Sequence, residues 1–114
     1  MNSESGENWK KIIAFVETNF NKKPDMNALL FLIGMRELGN IPENNFKKDD
    51  KVSLMHIAIC KILSYSGHYE LKGKDDEGWP HWELVKQMPN MNTFEQETYI
   101  REHVIEYFLA EEII

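Results

Sequence analysis

Tyr69-Glu70-Leu71-Lys72-Gly73-Lys74-Asp75-Asp76-Glu77-Gly78-Trp79-Pro80-His81-Trp82-Glu83-Leu84-Val85 is the stretch on which the fold turns. Apolar and polar residues alternate on both sides of a tip made of Asp, Glu and Gly. That is the period of a half-buried strand and the chemistry of a tight turn. The pattern predicts an antiparallel β-hairpin over about residues 68–86. With Gly73 facing Gly78, Tyr69 stands opposite Trp82 and Leu71 opposite Pro80. In the same register Glu70 stands opposite His81, His68 opposite Glu83 and Lys72 opposite Trp79. Tyr69, Leu71, Trp82 and Leu84 then form the inward face, and both strands agree on one register. Pro80 has no N–H to give a ladder, which suits an edge strand.

Helical patterns lie on both sides of the hairpin. Trp9, Ile12, Ile13, Val16 and Phe20 form one apolar stripe, predicting a first helix from Asn8 to Asn21 that Lys22-Lys23-Pro24 closes. Residues 1–6 are expected to be flexible. Asp25 can cap a second helix that runs to about Leu38, with Gly39 as its left-handed stop. Its centre, Ala28 to Met35, is apolar on every side, so it is expected to be buried or shared with a partner chain. Gly34 inside it points to the close approach of another helix, since glycine costs about 1 kcal/mol there against alanine.

Asn40 to Lys48 reads as a loop tucked down by Phe46. Asp49 or Asp50 then caps a third helix, Lys51 to Tyr65, closed near Gly67. It has a broad apolar face around Leu54, Ala58 and Ile62, and a narrow back face of Ser53, Ile57, Cys60 and Ser64. After Met88-Pro89-Asn90, Thr93-Phe94-Glu95-Gln96 has the pattern of a capping box. It opens a last helix with Phe94, Ile100, Val104, Ile105, Phe108 and Leu109 inward. The expectation is an α+β, mostly helical fold: three helices, one antiparallel hairpin and a C-terminal helix, in a single domain over residues 1–114.

Composition narrows the function. Hydrophobic residues make up 42% and aromatics 11%, enough for a core. A lone cysteine, Cys60, and the lack of a long apolar run suit a cytoplasmic protein with no membrane segment. Residues 1–91 carry 13 acids and 12 bases, whereas residues 92–114 carry six acids and one base. Nearly all of the net charge of −6 therefore falls on the last segment, which disfavours nucleic acid.

Side chains with chemistry are few. His56 and Cys60 have the i, i+4 spacing of two ligands, but no CxxC, HExxH or HxxxH accompanies them; a small buried cysteine is the commoner use, and neither metal nor cofactor is expected. Asp75-Asp76-Glu77-Gly78 lacks the spacing of a calcium loop and reads as a turn. His81 with Glu70, and His68 with Glu83, could act as acid–base pairs, or simply as cross-strand charge pairs. Trp79, His81, Lys72 and Glu70 on the outer face of the hairpin are the candidate partner-binding residues, because exposed tryptophan is favoured at binding hot spots.

The element order resembles that of winged-helix DNA-binding domains, with the third helix as reader and residues 68–86 as the wing. The resemblance is one of order alone, without a motif. The wing region carries five acids against three bases, and the third helix has Asp49, Asp50, Lys51 and Lys61 with almost nothing to reach base edges. The expected function is a small non-catalytic protein-interaction or accessory protein that self-associates, a homodimer. The alternatives are a winged-helix-like transcriptional regulator and a small enzyme using the His–Glu pairs.

Overall fold

The computed structural model describes residues 3–21, 23–39 and 48–114. Four helices and a two-stranded antiparallel hairpin follow in the order α1 (Ser3–Phe20), α2 (Met26–Leu38), α3 (Lys48–Ser64), β1 (Tyr69–Lys74), β2 (Pro80–Leu84) and α4 (Thr93–Ala110). The α+β, mostly helical class expected from the sequence is the one observed. Among the described residues no helix is long and apolar enough to cross a membrane. The loop expected at 40–48, with Phe46, falls outside the described residues save for Lys48.

Helix α2 is bounded by the two signals its sequence carries. The Asp25 side chain accepts a hydrogen bond from the Ala28 N–H at 2.8 Å, and Gly39 closes the helix at φ 78°. Leu29, Leu30, Ile33, Gly34 and Leu38 are buried along it. A Cβ added to Gly34 would overlap the Leu54 carbonyl oxygen and lie 2.7 Å from its carbonyl carbon. Glycine is what lets α2 and α3 touch backbone to backbone, as the sequence suggested.

Helix α3 is the centre of the molecule. Leu54, Ala58, Ile62 and Leu63 are buried, and so are Ile57 and Cys60 on the side read as a narrow back face. That back face lies under the hairpin, with Tyr69 of β1 standing edge-on to His56 at 6.4 Å. Val52, apolar and near the start of the helix, is exposed. The helix starts at Lys48, so Asp49 and Asp50 lie inside its first turn instead of capping it, where they still favour the positive end of the helix dipole. Helix α1 likewise starts earlier than expected, at Ser3.

The hairpin register differs from the one read from the sequence. Tyr69 pairs with Leu84, Glu70 with Glu83 and Leu71 with Trp82; past an irregularity at Lys72, Gly73 pairs with His81 and Lys74 with Pro80. The tip causes the difference. Asp75 Oδ1 accepts from the N–H groups of Glu77 and Trp79, both at 3.0 Å, and the Asp75 N–H reaches the Trp79 carbonyl at 3.0 Å. With Gly78 at φ 86°, the turn closes over Asp75–Trp79, not between Gly73 and Gly78. Because the shift is two residues, Tyr69, Leu71, Trp82 and Leu84 still share a face. Only part of that face is covered: Tyr69 and Trp82 are half-buried, while Leu71 and Leu84 are 48% and 43% exposed.

Helix α4 opens on a capping box displaced by one residue. Asn92, not Thr93, accepts from the Glu95 N–H at 2.8 Å, and the Glu95 carboxylate accepts from the Asn92 N–H at 3.3 Å. Val104, Ile105 and Phe108 are buried as expected, whereas Phe94 and Leu109 are exposed. Two inward residues went unread: His103 and Tyr107. Tyr107 fastens α4 to α2, since its hydroxyl donates to Glu37 Oε2 at 2.8 Å and accepts from Arg36 at 3.0 Å. Burial holds that phenol well above its usual pKa.

Candidate functional site

Two concave surfaces stand out, one mixed and one apolar. The mixed one is a groove of about 550 Å³ between the first half of α3 and the hairpin. Asp50, Ser53 and His56 line its α3 side. Trp79, Pro80, His81 and Trp82, four successive residues, line the other, so the groove runs along β2. The sheet has two strands, and β2 carries no strand on its other edge among the described residues.

The tip brings acid to this groove. Asp75 Oδ2 faces His81 Nε2 at 3.0 Å. The His81 contact, with the turn N–H groups adding to it, holds the Asp75 carboxyl below its ordinary value. Glu77 lines the groove beside it, and among the described residues that line it there is no Lys or Arg. His81 thus takes Asp75 as its partner, where the sequence register offered Glu70. Asp75 could have been found from the sequence only with the five-residue turn in hand.

The four candidate binding residues separate. Trp79 and His81 line the groove. Glu70 and Lys72 do not: Lys72 lies between Glu70 at 3.1 Å and Glu83 at 3.2 Å, an exposed ion pair set that stops two facing carboxylates from repelling each other. Those contacts, Glu70 first, raise the Lys72 pKa.

His68 makes no pair with Glu83. It is buried at the base of the hairpin, where Nδ1 donates to the Lys86 carbonyl at 3.0 Å and Nε2 accepts from the Tyr99 hydroxyl at 2.7 Å. The carbonyl can only accept, which fixes this tautomer. His103 repeats the logic, donating from Nδ1 to the Tyr99 carbonyl at 2.6 Å and accepting from Ser66 at 2.7 Å. Lys86 completes the cluster with a bond to the Ser66 carbonyl at 2.6 Å. These contacts tie the hairpin base to α4 and satisfy buried polar atoms. The acid–base pairs that the enzyme reading needs on the hairpin are therefore not the pairs this geometry makes.

His56 and Cys60 do meet, with Sγ 3.5 Å from Nε2. Cys60 is fully buried, and desolvation pushes its thiol up to about 11, away from the thiolate that ligation requires. Among the described residues no group of three or more His, Cys, Asp or Glu side chains is placed to hold a metal ion.

The apolar surface lies between α1 and α2. Helix α1 rests mainly on α4, and the gap it leaves beside α2 is floored by Ile33 and Phe108. Phe15, Phe20, Leu32 and Ile113 line a cavity of about 230 Å³, and the surface continues past Phe20 and Leu32 into a wider depression of about 590 Å³ toward Pro24 and Met35. Phe15 is 39% exposed and Phe20 56%. The sequence reading assigned Phe20 to the core stripe and gave Phe15 no role.

Compared with protein-family models, curated proteins and solved structures, the chain matches none.

Proposed function

We propose that the chain is a small non-catalytic protein-interaction protein that self-associates through the cleft between α1 and α2. The observation that carries this reading is the continuous apolar surface of Phe15, Phe20, Leu32 and Ile113, open at the mouth of a cavity whose floor is part of the core. Large contiguous apolar surfaces on soluble domains mark interaction sites. In a two-fold dimer the same cleft comes from each chain, so every contact that one chain's cleft makes is made a second time by its partner's. The side chains open to such a contact divide between two surfaces: Leu32 of α2 and Ile113 border the cleft, whereas Trp79 lies on the separate groove beside the hairpin.

Two features weigh against the DNA-binding alternative. The helix that would read bases is covered on two sides, by α2 and by the hairpin, and its open end borders a groove with acids and, among the described residues, no Lys or Arg. A reader helix needs a free face with donors for base edges.

Sedimentation equilibrium tests the proposal. At micromolar concentration the chain is expected to approach twice its 13.5 kDa mass, and Phe20→Glu is expected to restore the single-chain mass while leaving the helical circular dichroism unchanged. A single-chain mass that stays constant over a hundredfold dilution range ends the self-association reading.

A further inference from the structure

We propose that the groove between α3 and the hairpin takes an extended segment of a partner protein that carries lysine or arginine. The inference rests on the reading of the chain as an interaction protein, but on a face separate from the cleft between α1 and α2.

Charge comes first. Asp75 and Glu77 border the groove, and among the described residues no Lys or Arg lines it. Asp75 is an ionised carboxylate at neutral pH, and His81 and the turn N–H groups hold it in place at the groove's edge. The field in the groove therefore favours a cation, and low-dielectric walls strengthen such a field.

Shape and wall chemistry refine this. Trp79 and Trp82 supply two half-buried aromatic walls. An indole face attracts ammonium and guanidinium groups and also covers the aliphatic stem of a Lys or Arg side chain. Aromatic walls beside carboxylates thus match a long basic side chain better than a bare metal ion, which wants converging oxygens.

The run of four successive residues along the groove, Trp79 and the first three of β2, points to an extended occupant. Side chains of both parities border it, so the groove follows the strand, which has a free edge among the described residues. A strand laid beside such an edge can use main-chain groups, with alternate side chains entering pockets. Pro80 offers no N–H, which weakens main-chain pairing and leaves selection to the side chains.

The test uses the full chain, nitrogen-15 labelled, titrated with a synthetic peptide of alternating arginine and valine. The probes beside it are the matching glutamate–valine peptide and free spermidine. The arginine peptide is expected to shift the indole N–H resonances of Trp79 and Trp82 saturably, and to bind less tightly as salt rises. Glu77→Lys is expected to weaken binding by about threefold or more, and Glu102→Lys, the same charge change on exposed α4, by less than about twofold. Both positions are exposed, so folding is not at issue in either variant. Equal losses in the two variants would reduce the effect to net charge and overturn the proposal. So would unmoved indole signals, equal binding of the glutamate peptide, or spermidine competing at the concentration of the peptide, which would mark a site for small cations. A chain that is monomeric by sedimentation and still binds the peptide separates this proposal from self-association.

Discussion

Helix α2 has two sides, and they are finished differently. Toward α3, Gly34 lies against the Leu54 backbone with no room for a methyl group. Toward α1, the same helix presents Leu32 to an open apolar cleft that Phe15 and Phe20 border without filling. Both sides are apolar in sequence. What separates them is the size of one residue and the placement of a neighbour: glycine permits backbone contact on one side, and α1 leans on α4 on the other. Apolar character sets that a surface seeks cover; it does not set which element covers it.

The largest expected effect probes the tight side. Gly34→Val puts a branched Cβ into the Leu54 carbonyl; overpacking ordinarily costs about 1–3 kcal/mol, but here backbone must yield, and the cost is expected to exceed the roughly 2–5 kcal/mol of a buried large-to-small change. We expect the cooperative thermal transition to be lost. A melting curve like that of the parent would mean that α2 and α3 are not in backbone contact.

The next compares a core position with the cleft. Leu30 is 4% exposed, so Leu30→Ala is expected to cost about 2–5 kcal/mol in denaturant melts. Phe20→Ala, at a 56% exposed position, should cost less than about 1 kcal/mol at concentrations where the chain is monomeric. Similar losses at the two positions would show that the cleft is closed in the monomer. Ile59 of α3 is half-buried, and Ile59→Ala should fall between them.

The smallest effect concerns the hairpin tip and its dependence on pH. The Asp75 carboxyl is held below its ordinary value of 3.8, chiefly by His81. Its contribution to the tip is therefore fully present above that value and fades as pH falls through the lower, folded one. Amide exchange of Glu77 and Trp79, whose N–H groups bond to Asp75, should speed up relative to exchange in α3 as the pH drops through that range. Asp75→Asn keeps an acceptor for the turn but removes the titration, so the relative change should vanish. If it persists, another group controls the tip.

Much of the fold was legible because its signals are local. Asp25 and Gly39 bound α2 through chemistry contained within a few residues, and Gly34 announced a close helix contact through its cost to a helix. Alternation along both strands identified the hairpin and the residues that share its apolar face. The register was not legible, because it depends on how Asp75 organises the turn; a carboxylate accepting two N–H groups moves the pairing by two residues. The start of α4 slipped by one residue for a similar reason, since Asn92 and Thr93 are both competent caps and geometry chose between them.

The candidate site was legible only in part. Trp79 and His81 were singled out as exposed aromatic residues on the hairpin, and the fold places both along one groove. Glu70 and Lys72, chosen with them, are drawn off to Glu83 across the strand pair. Asp50, His56 and Ser53 join the groove from a helix some 25 residues earlier in the chain, and no spacing rule links them to β2.

The sequence by itself determined which segments are helix and strand, which faces are apolar, and where the net charge lies, because propensity, periodicity and composition act over short distances. Only the tertiary structure decided which apolar faces find cover. It buried Cys60 and Ile57 under the hairpin, fixed His68 and His103 in the hydrogen bonds that join the hairpin to α4, and left Phe15 and Phe20 open beside α2. Burial is a property of pairs of surfaces, and the pairing of surfaces distant in the chain is settled by the geometry of packing.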